Sequence, residues 1–204
     1  MADVDGRVVQ LQQKVRDLEA EVARLKEENR RWAKLAGTDS LTGLPNRISF
    51  LRAFLPQTMQ KSVKDGYPVG LILLSPDSLG DVNEEFGREA GDEVVKGLGL
   101  LIQSLVGDAA KLGHVDGANF CLMMHPGELE AVRGRANMVR ARVRTHEFPC
   151  ADGVAQITVS AGISSVQPAE GDDFKRLGET CFSNLNQVLH SAKKAGGNRV
   201  EVSA

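Results

Sequence analysis

The heptad repeat in the first 35 residues constrains this chain more than any other feature. Val8, Val15 and Val22 recur every seven positions. Leu11, Leu18, Leu25 and Trp32 form a second series, offset by three, and residues 4–35 hold no proline. Alternating steps of three and four place both series on one stripe of a helix. That stripe is narrow for docking on a domain and suits a seam between two helices. β-branched residues at the first position with Leu at the second favour two parallel strands, and Asn29 continues the valine series as a register-setting amide. Across a parallel seam Lys14 would face Glu19 and Glu21 would face Lys26, each exposed pair worth a fraction of ~1 kcal/mol. The expectation is a parallel coiled-coil homodimer over residues 1–36, with Val8, Leu11, Val15, Leu18, Val22, Leu25, Asn29 and Trp32 at the interface. Such a stalk is roughly 45 Å long at ~1.5 Å per residue. Ala36-Gly37-Thr38-Asp39 breaks the pattern, Gly37 able to end the helix and Asp39 to cap the next one.

Residues 37–204 change character and read as one globular domain. A helix is predicted over 45–64, a buried strand over 68–75 and a helix over 89–105. Lys111 to Met124 then reads as a hairpin, its apolar arms flanking Asp116-Gly117-Ala118-Asn119. Asp-Gly between such arms is a strong hairpin signal. A helix over 128–145, a strand over 155–165, a helix over 173–194 and a short strand over 199–202 complete the chain. Pro68, Pro126, Pro149 and Pro168 fall between these elements. The order β-α-β-β-α-β predicts an α/β (α+β) sandwich, a ferredoxin-like, nucleotidyl-cyclase-like mixed sheet with flanking helices.

Composition removes several classes of function. Lys and Arg number 25 against 27 Asp and Glu, a net charge of −2, so there is no basic field to attract nucleic acid or an anionic membrane. The longest aliphatic run, residues 69–74, is far too short to span a bilayer, and the acidic start lacks a basic segment followed by an apolar one. A cytoplasmic location is therefore expected, without membrane attachment. Cys121, Cys150 and Cys181 are widely spaced with no CxxC pairing, as reduced thiols would be.

Three segments, in order and spacing, resemble the GGDEF (diguanylate cyclase) family. Asp39-Ser40-Leu41-Thr42-Gly43-Leu44-Pro45-Asn46-Arg47 is similar to its DxLTGLxNR entry. Asn83, Phe86-Gly87 and Gly91-Asp92 match the segment after its first strand, and Lys193, Gly196, Asn198 and Arg199 its closing AKxxGxNRV. Val159-Ser160-Ala161-Gly162-Ile163 also looks like the family's S-x-G strand. The hairpin then falls where the five signature residues belong, and of Asp116, Gly117, Ala118, Asn119 and Phe120 only Gly117 and Phe120 agree with the signature.

Active members join two GTP molecules into cyclic di-GMP, a 3'-hydroxyl attacking an α-phosphate with metal assistance. The resemblance places the family's metal carboxylates at Ser75 and Ala118 and its fourth-position acid at Asn119. The family's Lys after the first strand and its phosphate-binding Arg fall at Gly80 and Gly197. An amide takes no proton near neutral pH and a methyl is no ligand. Asp77, two residues after Ser75, is the nearest replacement carboxylate. The segment 107–110, where the family's inhibitory RxxD motif belongs, reads Gly-Asp-Ala-Ala. On these positions the chain is expected to be no enzyme and to need no metal or cofactor, acting instead as a dimeric interaction or scaffold module for a protein partner. The alternative is a receptor for GTP or cyclic di-GMP. Asn83 and Asp92, which match the family's guanine-reading residues, and Lys193, the remaining matching cation, would then hold a nucleotide weakly. Asn83 and Asp92 are equally suited to capping a turn and a helix, and Lys193 to a helix C-terminus.

Overall fold

A computed structural model describes residues 12–22, 24, 25, 28, 36–150 and 153–203. The chain divides into two units, Met1–Thr38 and Asp39–Ala204. In the first unit, residues 12–22, 24, 25 and 28 are helical. Val15, Leu18, Val22 and Leu25 stand 52%, 57%, 47% and 50% exposed, an apolar stripe left open among the described residues. Glu21 is held within its own helix, its carboxylate 2.7 Å from Arg24, which also reaches Glu28 at 2.7 Å. The expected seam positions Val8, Leu11, Asn29 and Trp32 lie outside the described residues.

The second unit is built on a five-stranded sheet in the order β2-β3-β1-β6-β7. Its strands are β1 (Val69–Pro76), β2 (Lys111–Asp116), β3 (Asn119–Met124), β6 (Val159–Val166) and β7 (Val200–Val202). A separate two-stranded ribbon pairs β4 (Phe148–Cys150) with β5 (Gly153–Ala155). The helices are α1 (Leu55–Asp65), α2 (Leu79–Phe86), α3 (Arg88–Val106), α4 (Leu129–Arg144) and α5 (Phe174–Lys194). All main-sheet pairings are antiparallel except β6 with β7, the parallel pair joined through α5. This is the mixed sheet with flanking helices that the element order predicted.

β1 lies at the centre and is buried along its whole length. Because side chains alternate across a strand, its unbroken apolar run feeds two cores. Ile72 and Leu74 pack with Val94 and Leu98 of α3 and Val132 and Val139 of α4. Leu71 and Leu73 pack on the opposite face with Leu55 and Met59 of α1 and Leu185 and Leu189 of α5. Each such fully buried side chain contributes about 1.5–3 kcal/mol.

Local details differ from the sequence reading for identifiable reasons. The helix predicted over 45–64 begins at Arg47, capped by Asn46, whose side chain accepts from the Ser49 N–H. It passes through a π segment, Phe50–Phe54, before α1. Pro56 lacks the N–H that would bond the Arg52 carbonyl, so the ladder widens just before it. Asp39 caps a turn instead of a helix, accepting from Leu41 N–H at 3.1 Å and Thr42 N–H at 2.8 Å. The predicted strand over 155–165 is two pieces: the Asp77 N–H bonds the Thr158 carbonyl at 2.9 Å, and β6 starts only after it. Pro149 lies inside β4, where a two-stranded ribbon leaves a strand edge with no N–H required. Helix α2, unassigned by periodicity, stops at Gly87, whose φ of 84° separates it from α3.

Candidate functional site

The hairpin and the C-terminal end of β1 are adjacent because β1 pairs with β3, Leu74 opposite Phe120. At the hairpin tip Asp116 pairs with Asn119, leaving Gly117 and Ala118 as the two turn residues. Gly117 has φ 51° while Ala118 keeps a negative φ, the sign pattern of a turn with glycine first. Asp116 replaces a glycine of the signature without disturbing that turn. Its carboxylate lies out at the surface, 3.6 Å from Arg47, whose guanidinium covers the Phe182 ring at 4.6 Å. The negative charge of Asp116 therefore has a cation beside it.

Ser75 is buried in β1, opposite Ser160 of β6. Two residues on, Asp77 organises the strand end. Its carboxylate accepts from Thr158 Oγ1 at 2.5 Å, Ser160 Oγ at 2.6 Å and the Asn198 N–H at 2.8 Å. Three segments far apart in sequence thus meet on one side chain. The closing loop bends to reach it: Asn198 has φ 48° and Gly197 φ 70°. A Cβ at Gly197 would stand 2.9–3.1 Å from the Asp77 carboxylate, so at φ 70° a side chain here is strained and would push that carboxylate aside. Arg140 of α4 braces the loop from behind, donating to the Asn198 carbonyl and side-chain oxygens at 3.3 and 3.0 Å.

Lys193 joins the same end of the sheet. Its Nζ donates to the Pro76 carbonyl at 2.9 Å. Burial pushes its ammonium below the ordinary lysine range, opposed by the nearby charge of Asp77. Asn83 and Asp92 lie elsewhere, on α2 and α3. Asn83 lies so tightly over Gly91 that a Cβ there would meet its Oδ1 at 1.9 Å, and Asp92 follows, exposed, on the same turn. Among the described residues, no three His, Cys, Asp or Glu side chains converge as metal ligands would. No described helix is long and apolar enough to cross a membrane.

The structure thus gathers Ser75, Lys193 and the 116–120 hairpin around one end of the sheet, with Asn83 and Asp92 as a second pair. Two members of the region escaped the sequence reading. In sequence Asp77 reads only as a replacement ligand, and His114 of β2 carries no mark of a role. His114 Nε2 lies 2.6 Å from the Gly117 carbonyl, and its ring stacks on Phe120 at 4.8 Å. The histidine stands two residues before Asp116-Gly117 in sequence, but its burial and its neighbours are visible only in the fold.

Residues 36–199 match the family described as diguanylate cyclase, GGDEF domain. Over 200 residues, 98% of its length, the chain is 30% identical to the diguanylate cyclase DgcP of Pseudomonas aeruginosa, covering 29% of that protein. It is also 30% identical over 183 residues to the diguanylate cyclase VdcA of Vibrio cholerae, covering 88% of this chain and 51% of that one. The chain therefore spans about half or less of these relatives. Among solved structures, the coiled coil and GGDEF domain of DgcB from Caulobacter crescentus, in complex with c-di-GMP, superposes with a TM-score of 0.77 at 25% identity. That match covers 94% of this chain and 98% of the other.

These relatives correct the expectation that the chain is no enzyme: proteins this similar over most of its length are named diguanylate cyclases. That expectation rested on side chains at a few aligned positions, Ser75, Ala118 and Asn119 foremost. The physical flaw is that losing an acid from one position of a strand end does not clear that end of oxygen ligands. Asp77 stands two residues along, with the Pro76 carbonyl between them.

Proposed function

The chain belongs to the GGDEF family of diguanylate cyclase domains, and from that premise we propose that it works in cyclic di-GMP signalling as a dimeric module. Two GGDEF domains, each preceded by a stalk helix, are presented together to a protein partner. One observation carries this reading: Val15, Leu18, Val22 and Leu25 leave an exposed apolar stripe at three–four spacing. A helix with such a stripe is stabilised by pairing with a second copy. A coiled coil joined to a GGDEF domain is also the arrangement described for DgcB. Light scattering on the full chain tests it. A mass of twice 22.0 kDa at tens of micromolar is expected, and a monomer at that concentration ends the reading.

A second reading concerns ligand, and the Asn83–Asp92 pair favours it. A side-chain amide over Gly91 and a carboxylate on the next residue offer groups that complement the acceptors and donors of a guanine edge. Calorimetric titration with GTP and with cyclic di-GMP, with and without Mg²⁺, is expected to show binding that Asn83→Ala weakens. No heat from either nucleotide removes this reading and leaves the dimer standing. Chromatography of products after incubation with GTP measures separately the turnover for which the relatives are named.

A further inference from the structure

The two edges of the main sheet are finished differently. Along the β2 edge lies the segment before the first helical turn: Asn46 bridges to His114, and the His114 N–H bonds the Pro45 carbonyl at 2.9 Å. At the other edge β7 is last in the order, with no strand beyond it among the described residues. Its inward bonds run through alternate residues. The Arg199 carbonyl accepts from the Ala161 N–H, and the Ser203 N–H donates to the Ile163 carbonyl, each at 2.8 Å. Val200 stands opposite Ala161 and Val202 opposite Ile163. The N–H and C=O groups of Val200 and Val202 therefore point away from β6. An open row of this kind is a template for another strand. The two valine side chains pack on the core, which fixes the edge in an extended form.

Three arginines run beside that edge. Arg133, Arg140 and Arg144 follow at steps of seven and four, which places them on one flank of α4. Contacts show where the flank lies. Arg140 reaches the Asn198 carbonyl at 3.3 Å, just ahead of β7, whereas Arg135 on the opposite flank bonds the Leu105 carbonyl of α3 at 3.3 Å. Arg133 is 46% exposed and meets one acid, Glu130, at 3.5 Å, and Arg144 is exposed in the last turn. Three arginines against one glutamate make this flank cationic in a chain whose net charge is −2. From Arg133 to Arg140 the helix rises about 10 Å, the length of about three strand residues. The row of charge is thus as long as the open edge.

We propose that β7 and the arginine flank of α4 form a docking surface for an extended acidic segment of a protein partner, added to the sheet as a sixth strand. The backbone of the segment pairs with the outward groups of Val200 and Val202. Alternate side chains of an added strand lie on the α4 side, and acids at those positions meet the arginines. A lipid surface or a nucleic acid would answer the arginines and leave the strand edge bare. A peptide answers both. The surface gives a contact chemistry to the protein partner of the preceding reading, on which it rests, and does not depend on pairing of the stalk.

The test titrates the full chain with a short synthetic peptide alternating glutamate and threonine, and follows amide hydrogen exchange by nuclear magnetic resonance. At about nine-tenths occupancy the Val200 and Val202 amides should exchange about tenfold more slowly. The same peptide N-methylated on its pairing edge, or carrying lysine for glutamate, should leave them unchanged. Reversing two charges together, Arg133→Glu with Arg144→Glu, should weaken binding about tenfold or more. Val202→Pro removes an outward N–H and no inward bond, so the chain is expected to fold and to lose the peptide. Should that variant not fold, the N-methylated peptide asks the same question of the intact protein. No binding at millimolar peptide overturns the proposal, as does binding that leaves the two amides unprotected. Equal binding of the N-methylated peptide also overturns it, since the arginines then take any anion, and so does unchanged affinity in the double variant. Light scattering of the same samples reads the mass separately, so failure here leaves the dimer standing.

Discussion

Replacing Asp77 by Ala should destabilise the globular unit more than any other single exposed or half-exposed acid. Its carboxylate receives three donors, at 2.5, 2.6 and 2.8 Å, from residues 81, 83 and 121 positions away. The two hydroxyl distances lie in the short range of bonds to a charged acceptor. Hydrogen bonds to charged groups contribute about 1.5–3 kcal/mol each, but the three are not simply added here. Asp77 is partly open to solvent, so water replaces it at Thr158 and at the Asn198 N–H. Ser160 is fully buried and has no such replacement. Stranding that hydroxyl costs ~1–3 kcal/mol. With about 1 kcal/mol for each of the two wetter contacts, the total is ~3–5 kcal/mol. Domains of this size have only about 5–15 kcal/mol to lose.

Urea unfolding followed by circular dichroism measures this. At a slope of ~2 kcal/mol/M the midpoint should fall by about 2 M, with the slope unchanged. Asp77→Asn should fall roughly half as far. Its remaining oxygen still accepts, and its amide donates to a hydroxyl that turns to receive it. The reasoning fails if the Ala variant unfolds within about 0.3 M of the parent, a difference under ~1 kcal/mol. It also fails if Asn is as damaging as Ala.

Three further outcomes follow from the same structure. In the proposed two-helix seam Leu18→Glu puts like charges opposite each other, so light scattering should report the mass of one chain where two are expected of the parent. Burial pushes the thiols of Cys121 and Cys181 above the ordinary range, while Cys150 is only half-buried. Brief alkylation of the folded chain at pH 8, mapped by mass spectrometry, should therefore mark Cys150 first and Cys121 last. Burial alone would raise the Asp39 carboxyl, but His114 and Thr42 outweigh it and hold it below its usual value in the folded chain. Its contribution to stability is thus complete above the unfolded value of about 4 and lost as pH falls below it. Asp39→Asn should flatten acid unfolding below about pH 4, measured as the urea midpoint against pH.

The parts of the fold that were legible in the sequence are those decided by neighbours in the chain. β1 announced itself because eight consecutive residues, apolar but for Gly70, Ser75 and Pro76, suit only a strand buried on both faces. The hairpin was visible because its apolar arms flank a short glycine-containing tip, although the two turn residues are Gly117 and Ala118 and not Asp116 and Gly117. Helix α2 was not visible. Its eight residues carry one buried side chain, Val82, too few for a periodicity to show. The ribbon β4–β5 was hidden for a related reason: three-residue strands hold a single alternation, and Pro149 argues against a strand wherever both edges are paired.

The candidate site was legible in residue type and illegible in arrangement. Asp77, Thr158, Ser160 and Asn198 are ordinary polar residues in sequence, and nothing in their spacing says that one carboxylate gathers the other three. Gly197 looked like a lost arginine. In the structure its left-handed backbone and its approach to Asp77 favour glycine there. His114 carries the same lesson, since a single histidine before a turn becomes informative only when Asp39, 75 positions earlier, lies 2.8 Å from its ring. The expectation of a non-enzyme failed on this ground as well. It treated each altered position as an isolated loss, whereas the residues near the end of β1 form one hydrogen-bonded unit in which Asp77 and Lys193 hold the strand end and the closing loop together. In such a unit the consequence of a substitution is set by what its neighbours do in response, and that is a property of the folded arrangement.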